Sequence, residues 1–310
     1  MRKILITGGA GNIGSSLARE LVTDSQNFVV IVDNLLTGAL INLPASNFTN
    51  WKFIKADVNQ FKEISTIMLR YKFDFVFHFA AVVGVKRTLE NPRMVLDDIN
   101  GIKNVLDLSK NCGVKKVFFS SSSEVYGEPV EIPQREDTTP LNSKLPYAVV
   151  KNLGEVFFRT YYQEYGLDYT IFRFFNTYGP NQSTDFVISK FIDLALQNKD
   201  LTIYGDGMQT RTFCYIKDNV DTMCAILNNN LLSNDVINIG SDEEITILDL
   251  AKTVIQTLGS KSRIIHLPPL DKGDMKRRCP DNTKMRQILN RPLISLTDGI
   301  LLTKESFLLP

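Results

Sequence analysis

The chain has 310 residues, 44% hydrophobic and 22% charged, which suits a folded protein with a sizeable core. A formal net charge of +1 argues against a nucleic-acid partner or a polybasic membrane contact, and two histidines, His78 and His266, leave little for a metal site. Four scattered cysteines (Cys112, Cys214, Cys224, Cys279) form no CxxC and read as reduced thiols, so a cytoplasmic location is expected. The N-terminus runs straight into a strand, leaving no room for a signal peptide. The apolar run over residues 73–85 is broken by Asp74 and His78 and is too short to span a bilayer.

Residues 3–6 read as a buried strand, and Gly8, Gly11 and Gly14 follow at spacings of three. The next helix carries Ile13, Leu17 and Leu21 on one face. Strand, glycines and helix in that order predict a dinucleotide site, with the helix N-terminus turned to the pyrophosphate. Gly8 would allow the tight turn, Gly11 the approach of the phosphates, and Gly14 close packing of helix on strand. A plain glycine-rich turn is the alternative. Residues 28–32 form a second apolar run ending in Asp33, about 20 residues after the glycines, where a carboxylate binds ribose hydroxyls and repels a 2′-phosphate. The cofactor expected is therefore NAD rather than NADP. A loop over 34–38 follows.

A third strand is expected over 51–58, ending near Asp57 and Val58, then a helix over 61–70. A fourth strand over 73–81 has small residues, Ala80 and Ala81, at its tip beside Phe79, which would let a cofactor pass close by. A helix near 94–111 and a strand over 116–120 continue the alternation. That alternation predicts an α/β fold with a doubly wound parallel sheet of Rossmann type over 1–175, and a smaller substrate domain over 176–310 with some chain returning to the sheet.

Serines 120–123 and Glu124 stand at a strand's carboxyl end, where open α/β sheets place their ligands. Tyr147 and Lys151, four apart, share one helix face. A nearby ammonium and a nicotinamide cation would favour the phenolate; moving a phenol from ~10 to ~7 takes roughly 4 kcal/mol. Tyr147 would then remove a proton from a sugar hydroxyl while hydride leaves the same carbon. An exposed Tyr/Lys pair is the alternative, and it weakens once the glycine fingerprint and the serine tip precede the pair in order. Phe157, Phe158, Tyr161, Tyr162 and Tyr165 make an aromatic band that belongs to a core or to a dimer seam. Further strands (169–175, 201–204, 212–216, 236–239, 264–267) and helices (186–198, 218–229, 246–258) are expected.

These motifs resemble the extended short-chain dehydrogenase/reductases that act on nucleotide sugars, the epimerase/dehydratase group. The resemblance rests on residues 7–14, on Ser122 with Tyr147 and Lys151, on Phe175-Asn176-Thr177-Tyr178-Gly179-Pro180, on Tyr204-Gly205-Asp206-Gly207 running into Gln209-Thr210-Arg211, on Asn238-Ile239-Gly240 with Ile245-Thr246, and on Arg277-Arg278-Cys279-Pro280-Asp281. It implies that Ser122 bonds the reacting hydroxyl, that Tyr147 is the base, and that Lys151 holds the nicotinamide ribose. It also implies NAD contacts for Asn12, Ile13, Asp33, Asn34, Asp57 and Val58. Ser123, Asn176, Tyr204, Arg211 and Asp274 would face the substrate, a nucleotide-diphosphate sugar. Two positions depart from the pattern: Asp98 replaces an asparagine, and Asn181 replaces an arginine.

Ser122-Ser123-Glu124 bears on the reaction. Deoxythymidine-sugar 4,6-dehydratases carry Asp-Glu at the last two places, whereas UDP-glucuronate decarboxylases read Thr-Ser-Glu. The leading expectation is a UDP-sugar 4-epimerase in polysaccharide biosynthesis, working as a homodimer. A UDP-glucuronate decarboxylase or a 4,6-dehydratase is the alternative, with Glu124 acting at carbon 5, and an NAD-binding regulator is the non-enzyme alternative.

Overall fold

The computed structural model describes residues 1–269 and 277–308. It begins with β1 (Arg2–Thr7), α1 (Asn12–Leu21), β2 (Asn27–Asp33), β3 (Trp51–Lys55), α2 (Phe61–Tyr71) and β4 (Phe75–His78). There follow α3 (Val85–Glu90), α4 (Pro92–Cys112), β5 (Lys116–Ser122), α5 (Pro146–Tyr165) and β6 (Asp168–Phe174). Beyond these come β7 (Thr177–Tyr178), α6 (Val187–Leu196), β8 (Leu201–Tyr204), β9 (Thr210–Thr212), β10 (Cys214–Tyr215), α7 (Ile216–Asn228) and β11 (Asp235–Ile239). The chain closes with β12 (Glu244–Thr246), α8 (Ile247–Leu258), β13 (Ile264–Leu267), α9 (Thr283–Leu289) and α10 (Leu296–Leu308).

The described residues form two compact units: 1–127 with 141–174 and 220–237, and 128–140 with 175–219 and the segments from 238 onward. A seven-stranded sheet runs in the order β11-β6-β5-β4-β1-β2-β3. The pairings from β3 through to β6 are parallel. The order turns back on itself on either side of β1, the doubly wound topology expected from the alternating pattern. Continuous apolar runs gave these strands because helices cover both faces of such a sheet. Ile4, Leu5, Ile6 and Val29 to Val32 are fully buried. Among the described residues no helix is long and apolar enough to cross a membrane.

The differences from the expected elements have local causes. β3 stops at Lys55, and Asp57 Oδ1 then accepts from Asn59 N at 2.9 Å, making a turn where more strand was expected. β5 continues to Ser122, with Ser120 to Ser122 in register with Phe172 to Phe174 of β6. The single strand expected over 212–216 is two. β9 pairs antiparallel with β12, and β10 pairs parallel with β7. Of the aromatic band, Phe158 is core and stacks on Phe119 at 4.7 Å, whereas Tyr162 and Tyr165 are exposed.

Candidate active site

The glycine turn is built by close approach of backbones. Gly8 has φ +68°, and a Cβ there would stand 2.5 Å from Ala80 N, so the chain after β4 crosses where a side chain would begin. A Cβ on Gly14 would lie 2.5 Å from Gly8 O and 2.8 Å from Gly9 Cα, which is how α1 comes down onto the turn. At Gly11 a Cβ would meet only Gly8 O, at 3.3 Å. Gly11 N-caps α1 with no side-chain cap and no acidic residue in the first turn, which includes Asn12 and Ile13. A helix end of this kind, with its dipole and without a competing anion, fits a pyrophosphate.

Asp33 ends β2 and braces the turn: Oδ2 accepts from Ala10 N at 3.0 Å and Oδ1 from Leu35 N at 2.8 Å. Each oxygen keeps a lone pair for a hydroxyl donor. Asn34 Oδ1 accepts from Leu36 N at 3.0 Å. Val58 is buried, and its carbonyl accepts from Asn104 Nδ2 at 2.9 Å. Phe79 and Ala80 follow β4, where Phe79 N reaches Thr7 O at 3.1 Å; Ala81 comes next, half-buried. Glycine turn, open helix end and acidic strand tip lie in one unit and together fit NAD.

The candidate catalytic residues come from β5, the 3-10 turn after it (Ser123–Tyr126) and the start of α5. Ser122 caps the turn, accepting from Glu124 N at 3.2 Å, and its hydroxyl lies close enough to Tyr147 to hold the phenol's pKa down. Ser123 is buried. Lys151 is 3% exposed, its Nζ donating to Ser120 O at 2.6 Å and lying 5.7 Å from the centre of the Tyr147 ring. The structure thus brings Ser122, Glu124, Tyr147 and Lys151 together.

Burial pushes the Tyr147 phenol up, the charges of Glu124 and Asp98 push the same way, and the Ser122 hydroxyl opposes them. Burial brings the Lys151 ammonium down to about 8, against the pull of Asp98. Lys151 sits beside the ring and spends its charge on Ser120 O and Asp98, so the protein's own groups do not favour the phenolate. Asp98, on α4, accepts from Val82 N at 2.7 Å; burial pushes its carboxyl up while Val82 N and Lys151 hold it back. An asparagine there would offer Lys151 no countercharge. His78 is pushed down to about 3 by burial and by Lys151, so it is neutral at working pH, and its Nδ1 lies 2.8 Å from Thr7 Oγ1.

The second unit has its own polar group. Asn176 Nδ2 donates to Thr212 O at 3.0 Å, and Arg211 stands beside Thr212 in β9 with Nη1 on Thr210 O at 2.7 Å. Tyr204 ends β8 and is exposed. Glu244 takes two bonds from Arg277, at 2.7 and 2.6 Å. Asn181 has φ +62°, a left-handed conformation that asparagine adopts more readily than arginine. Asp274 lies outside the described residues.

Sequence reading missed Glu155, Arg173 and Tyr126, buried behind the serine tip. Two signals were available: an arginine inside an apolar strand needs a buried partner, and Glu155 continues the Tyr147–Lys151 spacing by one more turn.

A family model described as NAD dependent epimerase/dehydratase family matches residues 4–240. The chain belongs to the NAD dependent epimerase/dehydratase family. It is an enzyme, and its cofactor is NAD. Among curated relatives, it is 37% identical to the UDP-N-acetyl-alpha-D-glucosaminuronate decarboxylase of Bacillus cytotoxicus, over 99% of this chain and 98% of that one. It is 35% identical to a putative UDP-glucose 4-epimerase of Methanocaldococcus jannaschii, over 96% and 95%. Among solved structures, the UDP-glucose 4-epimerase of Thermotoga maritima with UDP-glucose superposes with a TM-score of 0.91, at 32% identity and 98% coverage of both chains. Family membership sets aside the reading as a regulator without catalysis.

Proposed function

We propose that the enzyme is a UDP-sugar 4-epimerase that works through transient oxidation at sugar carbon 4. One observation carries this: Ser122, Tyr147 and Lys151 come together at the strand tip, with Lys151 Nζ 2.6 Å from Ser120 O and 5.7 Å from the centre of the Tyr147 ring. These groups are what reversible oxidation of a secondary alcohol requires. Tyr147 removes the proton of the 4-hydroxyl, and Ser122 hydrogen-bonds the same oxygen. The glycine turn, Asn12, Ile13 and Asp33 hold NAD, with Asn34, Asp57, Val58 and residues 79–81 along its path, and Lys151 holds its nicotinamide ribose. The chemistry NAD supplies when bound is reversible acceptance of hydride. Asn176, Tyr204 and Arg211 are the residues for the nucleotide diphosphate, and Ser123 is a residue for the sugar.

Decarboxylation of a UDP-uronic acid is the second reading, and Glu124 favours it. Its charge lies close enough to push Tyr147 up, and a 37%-identical relative is named a decarboxylase. A 4-keto acid loses carbon dioxide readily, and Glu124 would manage the proton at carbon 5. Incubation with UDP-glucose, UDP-galactose and their N-acetyl and uronic acid forms separates the two by product mass. An unchanged mass with inverted carbon 4 is expected, with Glu124→Gln keeping activity within about threefold. Loss of carbon dioxide, abolished by that substitution, would replace the leading reading with the second, and loss of water would make the enzyme a dehydratase.

The same reading includes a homodimer in the cytoplasm, with product entering polysaccharide synthesis. Val149, Leu153 and Val156, at i, i+4 and i+7 on α5, and Met94 and Leu96 on α4 are all exposed apolar groups. A second copy covering this stripe would bury them in a four-helix seam. Sedimentation should give twice the chain mass, and Leu153→Asp should halve it; a monomer at micromolar concentration would remove the dimer from the account.

A further inference from the structure

A charged pair lies buried in the first unit. Glu155 is 0% exposed and Arg173 is 2% exposed. Desolvating two ions cancels much of what their attraction returns, so stability is a weak reason for such a pair. Its bonding supplies another. Arg173 grips Glu155 with two prongs, Nε to Oε1 at 2.9 Å and Nη2 to Oε2 at 2.8 Å. Ser121 Oγ donates to Glu155 Oε1 at 2.7 Å, and Arg159 Nη2 reaches Oε2 at 3.0 Å. Arg173 Nη1 donates to the Tyr126 hydroxyl at 2.9 Å, with the guanidinium carbon 4.9 Å from the centre of that ring.

These bonds reach the three segments that carry the proposed reacting groups. Ser121 precedes Ser122 on β5, and Tyr126 closes the 3-10 turn that holds Ser123 and Glu124. Glu155 stands one helical turn beyond Lys151 and two beyond Tyr147 on α5. Arg173, from β6, ties the three segments together. We propose that Glu155, Arg173 and Tyr126 are positioning residues that fix Ser122 and the turn after it against Tyr147. This rests on the roles given above to Ser122 and Tyr147. The placement matters because a reacting group displaced by ~1 Å loses on the order of a hundredfold in rate.

Tyr126→Phe removes one oxygen and leaves the ring. Assayed on UDP-galactose, or on whichever panel member the enzyme converts, its kcat should fall about tenfold while KM, NAD affinity and Tm stay near the parent values. Arg173→Lys keeps the charge and loses the fork, and should fall about a hundredfold. Should that variant not fold, Tyr126→Phe still decides. In a Ser122→Ala background, Tyr126→Phe should cost about twofold or less, because the group it places is gone. Parental kcat in Tyr126→Phe, with or without a lower Tm, overturns the proposal. So does a loss of equal size with and without Ser122. Failure of the underlying reading looks different: Tyr147→Phe would then keep its turnover.

Discussion

Tyr147→Phe should lower turnover by about a thousandfold or more, the range lost with a general base, while NAD binding and Tm stay unchanged. The phenylalanine ring fills the same half-buried place on α5, so the change is confined to the phenolic oxygen. Burial and the Glu124 and Asp98 charges hold that phenol up in the protein alone. On the proposed reading, the nicotinamide cation would supply the charge that favours the phenolate, while Asp98 answers the charge of Lys151. Steady-state rates together with NAD titration by fluorescence check this. Turnover within tenfold of the parent would mean that another group is the base.

The second large effect belongs to the glycine turn, and it comes as a contrast. Gly14→Ala puts a methyl carbon 2.5 Å from Gly8 O and 2.8 Å from Gly9 Cα, both backbone atoms that cannot swing away. Overpacking of this kind costs about 1–3 kcal/mol. It should lower Tm by several degrees and weaken NAD by about a hundredfold as α1 lifts off the turn. Gly11→Ala meets only Gly8 O at 3.3 Å, a contact eased by a small shift. Tm without NAD should then stay within about two degrees of the parent, while NAD affinity still falls at least tenfold, because the methyl stands where the pyrophosphate approaches. Equal NAD affinity in Gly11→Ala and the parent would place the phosphates elsewhere.

The parallel sheet was legible because strands covered on both faces read as apolar runs whatever their partners. The glycine turn was legible because its spacing is a local property of backbone geometry. Pairing between distant short segments was not: nothing in residues 210–215 announces that β9 joins β12 while β10 joins β7. The strand was expected to stop at Ser120, two residues short of its end at Ser122, because a hydroxyl in a strand needs a partner from another element. For Ser121 that partner is Glu155, 34 residues away. The surroundings of Tyr147 were legible only in part, for a related reason. Helix spacing shows that Lys151 shares a face with Tyr147, but not that Asp98 from α4 answers the lysine charge and adds its own to the phenol.

Chemistry at carbon 4 is most directly tested with a UDP-sugar carrying deuterium at that carbon, converted in ordinary water and read by NMR. The account predicts product that keeps the label at carbon 4 with the configuration there inverted. Label lost to solvent, or product formed with carbon 4 never broken, would contradict it.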